Sequence, residues 1–500
     1  MKQDGQNIIL SLDKYNEIIQ KQQKYITENI LLKEELAQLK RLIFGKKNER
    51  FVSENQDVNQ PTLFDEFFQE PQKQEVVKEE VSYQRTKKQK KKPVRKPLPS
   101  HLPRVEETIE PENIPENAQK MGFSITEILE YEPAKYFVRS IIRPKYVIKS
   151  TNQDQENQII IAELPSDLPL HRANAGAGLL SHLIVSKYVD HLPFYRQCNI
   201  AKRQNLELSE STVNDWFKAV CKLLEPLYDT LKKEVLLSSY IQADESPIPV
   251  QTKDKPGATH KGYQWVYHSP PQRMVFFDYQ KGRDQNGPKN ILKNFKGTLQ
   301  TDGYAVYNDF GNSPDITLVA CWAHVRRKFE QSLKTYPAVA EHVMTEIQKL
   351  YAVERIIRED NLSESDILDK RKKESAPIVE NLEKYFKEQK NNVLPKSDIG
   401  KAINYAISLM PRLKVFLTDP NILIDNNLVE NTIRPLALGR KNYLFAGSHD
   451  AAQRTAMMYS FFGTCKLNNV EPFEWLKSTL EKISDHSILK LKELIPGHKS

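Results

Sequence analysis

The sequence predicts a multi-domain protein built around an α/β core, and three observations carry this prediction. The chain has 500 residues, which is too long for a single hydrophobic core. Between residues 240 and 321, short apolar or alternating runs are separated by turn residues, which is typical of strands. On both sides of this region the apolar residues recur with the period of an α-helix.

The balance of charge favours a nucleic-acid partner. Lysine and arginine number 73 against 65 aspartate and glutamate residues, which gives a net charge of +8. The positive charge is dense in the run Lys87–Lys96, and smaller clusters recur later in the chain. Because clustered cations attract polyanions, we expect nucleic acid rather than an acidic small molecule. A charge run that only solvates the surface is the alternative.

Other classes of protein are disfavoured by what the sequence lacks. The four cysteines are scattered without a CxxC pair, which supports neither a disulfide framework nor a zinc site. No apolar run approaches the length of a membrane span, and the polar start Lys2-Gln3-Asp4-Gly5 is unlike a signal peptide. We therefore expect a cytoplasmic protein without a membrane partner.

Residues 1–50 are predicted to form a coiled-coil helix. The helical stretch 8–44 presents two heptad positions. One position holds Tyr15, Gln22, Asn29, Leu36 and Ile43, and the other holds Ile18, Tyr25, Leu32 and Leu39. An asparagine at such a seam fixes register and strand number, so we expect a homodimer or a higher oligomer. A helix that packs on its own domain is the alternative.

A basic linker and a small β-rich module follow this helix. Residues 51–100 are rich in Gln, Glu, Lys and Pro, a composition typical of disorder. Residues 101–165 are predicted to be β-rich, because Tyr136–Ile142 and Lys145–Ile148 have extended character. Nothing in this module indicates chemistry.

Residues 166–235 are predicted to form a helix-turn-helix-like DNA-binding domain. A helix at Pro193–Arg203 is followed by the turn Gln204-Asn205-Leu206 and by a third helix that is capped within residues 208–212. Short helices joined in this way resemble a helix-turn-helix, and a plain helical bundle is the alternative. Four cations favour DNA: Lys187, Arg196, Lys202 and Arg203.

Residues 236–335 are predicted to form the first part of the α/β core. Its strands are expected at Tyr240–Ala243, Tyr263–Tyr267, Met274–Phe277, Thr298–Thr301 and Ile316–Cys321, with a helix at Trp322–Leu333. This order predicts a central mixed sheet layered with helices. We expect a helical insertion at 336–420, the remainder of the core at 421–450, and a C-terminal helical region at 451–500.

Three acidic residues are candidates for a metal site at one edge of this sheet. Asp244 ends the first predicted strand and Asp302 ends the fourth, so neighbouring strands would bring both carboxylates to one edge. Glu430 lies one turn into a short helix that is predicted to end at Pro435, before a basic turn. Converging carboxylates suit Mg²⁺, which prefers oxygen ligands, and two such ions can act together at a phosphodiester.

Glu430 also has an ordinary structural interpretation. The spacing Asn427-x-x-Glu430 matches a capping box, and Arg434 is placed for an i,i+4 ion pair. The two upstream aspartates favour the metal interpretation.

Nine co-linear stretches carry a family resemblance. They read KRLIFGKKNERF, KPLPSHLPR, LEYEPAKYFVRSIIRPKYV, LLSHLIVSKYVDHLPFYRQ, LSESTVNDW, ADESPIPV, TDGYAVYN, ACWAHVRRKFE and IDNNLVENTIRPLALGRKNYLFAGS. The chain resembles the transposases of the insertion sequence 66 family over nearly its whole length. The resemblance implies an acidic-triad (DDE) enzyme with an α/β ribonuclease-H-like catalytic core, preceded by a leucine-zipper-like helix, a zinc-binding module and a helix-turn-helix. By motif position it implies Asp244, Asp302 and Glu430 as the catalytic and metal-binding residues.

Two departures from the family pattern matter. Where relatives carry a cysteine-rich zinc motif, this chain reads ENIPENAQKMGFSITEIL, so no zinc is expected. The residue after the catalytic glutamate is commonly arginine in the family and is Asn431 here. We expect this change to remove one phosphate contact and to leave the chemistry intact.

The resemblance implies metal-dependent cleavage at the ends of a mobile element, followed by strand transfer into target DNA. We expect two Mg²⁺ ions, for which Mn²⁺ could substitute, and a nucleoid-associated bacterial protein that works with accessory transposition proteins. DNA contacts are expected from Arg326, Arg327, Arg434, Arg440 and Lys441.

His324 is expected to position a phosphate or water, or else to make structural hydrogen bonds at the start of its helix. For the whole chain, two alternatives stay open: a catalytically silent DNA-binding repressor, and a metal nuclease that cuts without joining.

Overall fold

In the computed structural model, the described residues belong to two compact units: those between 48 and 162 form the smaller unit, and those from 163 onward belong to the larger one. The described residues are 136–143, 145–148, 158–161, 165, 167–170, 173–252 and 258–498. The predicted coiled coil and basic linker, and most of the module at 101–165, lie outside them. In the smaller unit, strand β1 (Lys145–Ile148) pairs antiparallel with β2 (Gln158–Ile161). The stretch Tyr136–Ile142, which was predicted to be extended, forms no strand.

The larger unit begins with three helices. They are α1 (Ala177–Tyr188), α2 (Phe194–Arg203) and α3 (Glu210–Leu236). Ser209 caps α3, because its Oγ accepts the Thr212 N–H at 3.1 Å. The prediction of a short third helix was wrong, since α3 has 27 residues. Its buried stripe runs the whole length of the helix: Val213, Val220, Leu224, Leu227, Leu231 and Val235.

A five-stranded mixed sheet forms the centre of this unit, as predicted. The strands are β3 (Tyr240–Gln251), β4 (Thr259–Ser269), β5 (Met274–Gln280), β6 (Gly297–Gln300) and β7 (Ile316–Val319). Their order is β5-β4-β3-β6-β7. The first three pair antiparallel, whereas β3, β6 and β7 run parallel.

Strand β3 corrects one prediction, because it does not end at Asp244. Its parallel pairing with β6 stops at Gln242↔Gln300, but its antiparallel pairing with β4 continues to Gln251. Beyond β6, no other strand of the described sheet pairs with that side of β3, which makes a single bridge there, from Val250 to Ala446. The two prolines there, Pro247 and Pro249, are tolerated because a proline nitrogen needs no partner on such an edge.

Helices surround the sheet and form a second core beside it. After α4 (Asn286–Ile291) and α5 (Trp322–Ser332), four helices lie between the last strand's helix and the Glu430 helix. They are α6 (Pro337–Glu359), α7 (Glu364–Lys370), α8 (Ala376–Lys390) and α9 (Asp398–Leu413), and a π-helical turn at Arg371–Ser375 joins α7 to α8. The apolar faces of α5, α6, α8 and α9 form a core separate from that of the sheet.

The Glu430 helix, α10 (Asn427–Tyr443), corrects a second prediction, because it does not end at Pro435. The basic residues after Pro435 are therefore helical and do not form a turn. An internal proline costs about 3 kcal/mol. The buried stripe Val429, Ile433 and Leu436 offsets this cost, and it continues to Gly439, where any side chain would collide with Tyr459.

Of the last two helices, α11 (His449–Leu467) covers the edge of the sheet, and α12 (Pro472–Lys482) packs on α1 and α11. Side chains of α11 accept hydrogen bonds from the outer N–H groups of β5. The Phe277 N–H donates to Ser460 Oγ at 2.8 Å, and the Val275 N–H donates to Thr464 Oγ1 at 3.2 Å. An edge strand is thereby closed to further pairing. Among the described helices, none is long and apolar enough to cross a bilayer.

Candidate active site

Asp244 lies within β3, and Asp302 lies two residues past the end of the parallel strand β6. The last parallel pair is Gln242↔Gln300, and each aspartate lies two residues further along its chain. Side chains two residues apart on a strand point to the same face. The register therefore brings both carboxyl groups to the carboxyl end of β6, on one side of the sheet.

Asp244 is a half-buried acid among other acids. Its Oδ1 accepts the Glu245 N–H at 2.8 Å. Burial raises the pKa of Asp244 to about 8, and the carboxylates of Glu245, Asp302 and Glu430 contribute in the same direction. The three predicted site acids are therefore close enough to repel one another when charged, and a bound cation would relieve that repulsion.

Asp302 is held by a tight turn and by the helical region next to it. Its Oδ1 accepts the Tyr304 N–H at 2.8 Å. Gly303 between them has φ +84°, and a side chain there would collide with Leu409 of α9. The Tyr405 hydroxyl, also on α9, donates to the Asp302 carbonyl oxygen. The α9 helix thus fixes the backbone that presents this acid.

Glu430 lies in the first turn of α10 and faces α5. Its Oε2 is 3.3 Å from Arg327 Nη2, and its Oε1 is 3.5 Å from His324 Nε2. Oε1 is buried and accepts no hydrogen bond. The helix N-cap is Asn426, which makes no side-chain capping bond, so the capping-box interpretation was wrong. Within the described chain, no ion pair joins Glu430 to Arg434.

His324 lies in the first turn of α5 and contacts both Glu430 and Arg327. Its Nε2 is also 3.3 Å from Arg327 Nη1, whereas its Nδ1 is buried without a hydrogen-bond partner. Burial lowers the pKa of His324, although Glu430 opposes this shift. In the part of the chain that the structure describes, no three His, Cys, Asp or Glu side chains stand close enough together to hold a metal ion.

The cations predicted on α5 and α10 differ in what they contact. Arg327 is 51% exposed beside Glu430, while Arg326 is half-buried with an unpartnered Nε. Arg434 and Lys441 are exposed. Arg440 instead bonds to β3, donating to Ser246 Oγ at 3.0 Å and to the Pro247 carbonyl oxygen. Those bonds hold α10 against the part of β3 that extends beyond β6.

The cations predicted on α1 and α2 are also unequal. Lys187 is directed into an aromatic cage, with Nζ 4.0 Å from the Phe194 ring centroid, and burial lowers its pKa to about 8. Arg196 Nε donates to the Tyr195 hydroxyl at 2.9 Å. Lys202 and Arg203 are exposed in the last turn of α2.

Sequence reasoning missed a second buried acid, Glu245. Its side chain is 3% exposed, and its Oε1 accepts from Arg283 Nε at 2.7 Å. The Arg283 guanidinium lies 4.0 Å over the Tyr304 ring, next to Asp302. The available signal was its position directly after Asp244 in a strand. Successive side chains of a strand point to opposite faces of the sheet, so Glu245 had to face the side opposite to Asp244.

Comparison with known proteins identifies the family. A model described as the transposase IS66 family matches residues 172–454, which is more than half of the chain. The chain belongs to the IS66 transposase family. A model of the IS66 C-terminal element matches residues 460–496, and one described as transposase C of IS166 homeodomain matches residues 31–106. The predicted resemblance is thus confirmed.

Relatives of this IS66-family protein include two from Sinorhizobium fredii. The uncharacterized protein y4qI is 32% identical over 382 residues, which cover 73% of this chain and 69% of the relative. The uncharacterized protein y4jD is 30% identical over 395 residues, or 75% of each chain. The main family match contains all three candidate acids, and membership in a transposase family supports DNA as the partner.

Proposed function

We propose that this protein is a DDE transposase that cleaves DNA at the ends of an insertion element and joins those ends to target DNA. The observation that carries the proposal is the parallel register of β3 and β6 in an IS66-family chain, which brings Asp244 and Asp302 to one end of the sheet, and the raised pKa of Asp244, to which Glu430 contributes, supports it. Family membership supports the transposase class, and the acids support the phosphoryl-transfer chemistry.

We propose further that the core is ribonuclease-H-like. Three antiparallel strands followed by two parallel strands, in the order β5-β4-β3-β6-β7, support this assignment. The acids would then stand at the carboxyl end of the central parallel pair, with Glu430 added from a helix packed on β3.

The three acids have the chemistry of a divalent-cation site, and they would have to draw closer together to hold an ion, because as described they stand too far apart. Carboxylate oxygens are the ligands that Mg²⁺ prefers, and Asp244 carries a raised pKa that a nearby cation would lower. Glu430 contributes a buried oxygen that accepts no hydrogen bond. Asp244 and Asp302 would hold two ions and Glu430 would ligate one of them. Mg²⁺ or Mn²⁺ bound there would favour ionisation of the attacking oxygen and stabilise the leaving oxygen.

The chain's own groups would bind and orient the DNA. Water attacks the phosphorus at the element end, and the 3′ oxygen leaves; the freed 3′ hydroxyl then attacks a phosphodiester of the target. One phosphodiester replaces another in the joining step, so no ATP is needed. Arg327, exposed beside Glu430, is placed to contact a phosphate next to the acids.

The assembly is also proposed. We propose that residues 1–50 associate into a homodimer or a higher oligomer, and that small accessory proteins assist the reaction. The exposed cations Lys202, Arg203, Arg434 and Lys441 would contact DNA outside the acidic site.

The test is nicking of a labelled duplex that carries the element's terminal repeat. The wild-type protein should nick it in Mg²⁺ and, with target DNA present, produce joined strands. Asp302→Asn should lower nicking about 100- to 1,000-fold, because several kcal/mol of transition-state stabilisation are lost. The matched control is Asp309→Asn, an exposed acid that pairs with Lys289. Nicking that survives Asp302→Asn would refute the proposal.

A further inference from the structure

Two buried glutamines each lie two residues before one of the aspartates in the chain. Gln242 and Gln300 form the last parallel pair of β3 and β6, and both side chains are 0% exposed. Gln242 Nε2 donates to Gln300 Oε1 at 2.9 Å, and the buried Tyr240 hydroxyl donates to the same oxygen. Burying an amide costs free energy unless its polar atoms are bonded, so this pairing calls for a physical reason.

The reason lies in the segment that leads into α10. Gln242 Nε2 is 2.9 Å from the Asp425 carbonyl oxygen, and Gln242 Oε1 accepts the Val429 N–H at 3.2 Å. Gln300 Nε2 donates to the Leu423 carbonyl oxygen at 2.8 Å. These bonds hold the backbone from Leu423 to Val429, and Val429 immediately precedes Glu430.

Strand β3 therefore carries both Asp244 and Gln242, and β6 carries Gln300 and leads into Asp302 two residues past its end. Each glutamine lies two residues before an aspartate, a step of about 6.6 Å along a strand. The Glu430 side chain itself contacts only α5 residues among the hydrogen bonds and ion pairs of the described chain. Its backbone position relative to Asp244 and Asp302 is thus set from the sheet.

We propose that Gln242 and Gln300, with Tyr240 between them, are positioning residues that set the place of Glu430 relative to the two aspartates. This inference rests on the proposed function, since it concerns the same acids. With Glu430 placed in this way, carboxylates from the sheet and from α10 would bind divalent cations together. A purely structural role would stabilise the fold without affecting cation binding.

Gln264 offers a matched control for that distinction. It is likewise 0% exposed, lies on β4, and donates through Nε2 to the Ala452 carbonyl oxygen at 2.9 Å. Its bond therefore holds α11, not α10. Gln242→Met should lower the unfolding temperature more than Gln264→Met, because Gln242 bonds to Gln300, Asp425 and Val429, whereas the described side-chain bonds of Gln264 are limited to the one with Ala452. The two variants are therefore compared in cation binding and in local hydrogen exchange, not in stability.

The experiment compares these variants in the full-length protein. Gln242→Met should raise the Mg²⁺ concentration for half-maximal nicking about 10- to 100-fold, the usual effect of removing a group that orients a ligand. It should also weaken Mn²⁺ binding, measured by calorimetry without DNA, and speed hydrogen exchange of the Val429 and Glu430 amides about tenfold or more. Gln264→Met should change none of the three. Tyr240→Phe, a smaller change, should shift all three in the direction of Gln242→Met.

Equal effects of Gln242→Met and Gln264→Met, or unchanged Mn²⁺ binding and exchange in Gln242→Met, would overturn the inference. If Gln242→Met does not fold, Tyr240→Phe is compared with Gln264→Met in the same three measurements, and unchanged Mn²⁺ binding and hydrogen exchange in Tyr240→Phe would then overturn the inference. If the wild-type protein fails to nick DNA, the proposed function fails, and Mn²⁺ binding and hydrogen exchange still decide the positioning role.

Discussion

Replacing Asp244 with asparagine is expected to stabilise the metal-free protein at pH 8. The pKa of this carboxyl rises from 3.8 to about 8 on folding, mainly because of burial. Between those values the folded protein binds more protons than the unfolded chain, so the free energy of unfolding falls as the pH rises from about 4 to about 8. The neutral amide escapes this loss.

The size of the effect follows from the shift. Such a shift corresponds to at most about 6 kcal/mol, and water entering the half-open site reduces the expected gain to about 2 kcal/mol. That gain should raise the unfolding temperature by about 3 °C at pH 8 in EDTA, because the large unit has a correspondingly large entropy of unfolding. At pH 5 the difference should be small, because Asp244 is then protonated in the folded protein.

Thermal unfolding in EDTA at pH 5 and pH 8 is the assay, with Asp360→Asn, an exposed acid after α6, as the control. Saturating Mg²⁺ should stabilise the wild type more than the Asp244→Asn variant, since ligands stabilise the state that binds them. The reasoning is refuted if Asp244→Asn unfolds no higher than the wild type at pH 8, or if its advantage is the same at both pH values.

Three further outcomes are expected. Lys187→Met should leave DNA affinity unchanged in fluorescence anisotropy, because that ammonium lies in an aromatic cage, whereas Lys202→Met should weaken binding and reduce the salt slope by about one. Burial lowers the pKa of His268 to about 4, so the contribution of this histidine to stability is lost as the pH falls from 6.5 towards 4; thermal unfolding of His268→Leu should therefore improve relative to the wild type over that range. Arg371→Met should lower the free energy of unfolding in urea by about 3–5 kcal/mol, because it leaves buried Glu354 without its partner at 2.8 Å, and adding Glu354→Gln should recover part of the loss.

The sequence was sufficient for the sheet, and it singled out Asp244, Asp302 and Glu430 as candidates for the site. Strand patterns are local, since alternation, turn residues and β-branched runs occur within a few positions. Polar residues at the ends of such runs, as at Asp302, are therefore visible in the sequence. Gln242 was visible too, as one polar residue within an apolar strand, but its role depends on a backbone segment more than 180 residues away.

The features that the local sequence pattern did not predict depend on contacts between residues that are distant in the chain. The extension of β3 past Asp244 depends on its pairing with β4, and the continuation of α10 through Pro435 depends on burial against β3 and α11. Glu430 has partners on α5, about 100 residues earlier, instead of the neighbour four positions on. The aromatic cage around Lys187 is formed by three different helices, so a charged residue that looked solvent-exposed is turned inward.

The most direct test of the central claim, that Asp302 ligates a catalytic cation, is the metal preference of Asp302→Cys in the nicking assay. A thiolate is a softer ligand than a carboxylate, and Mn²⁺ accepts it more readily than Mg²⁺ does. We expect nicking by Asp302→Cys to fall about 100-fold in Mg²⁺ and to recover at least about tenfold when Mn²⁺ replaces it. Wild-type rates in Mg²⁺, or equal losses with both ions, would contradict the account.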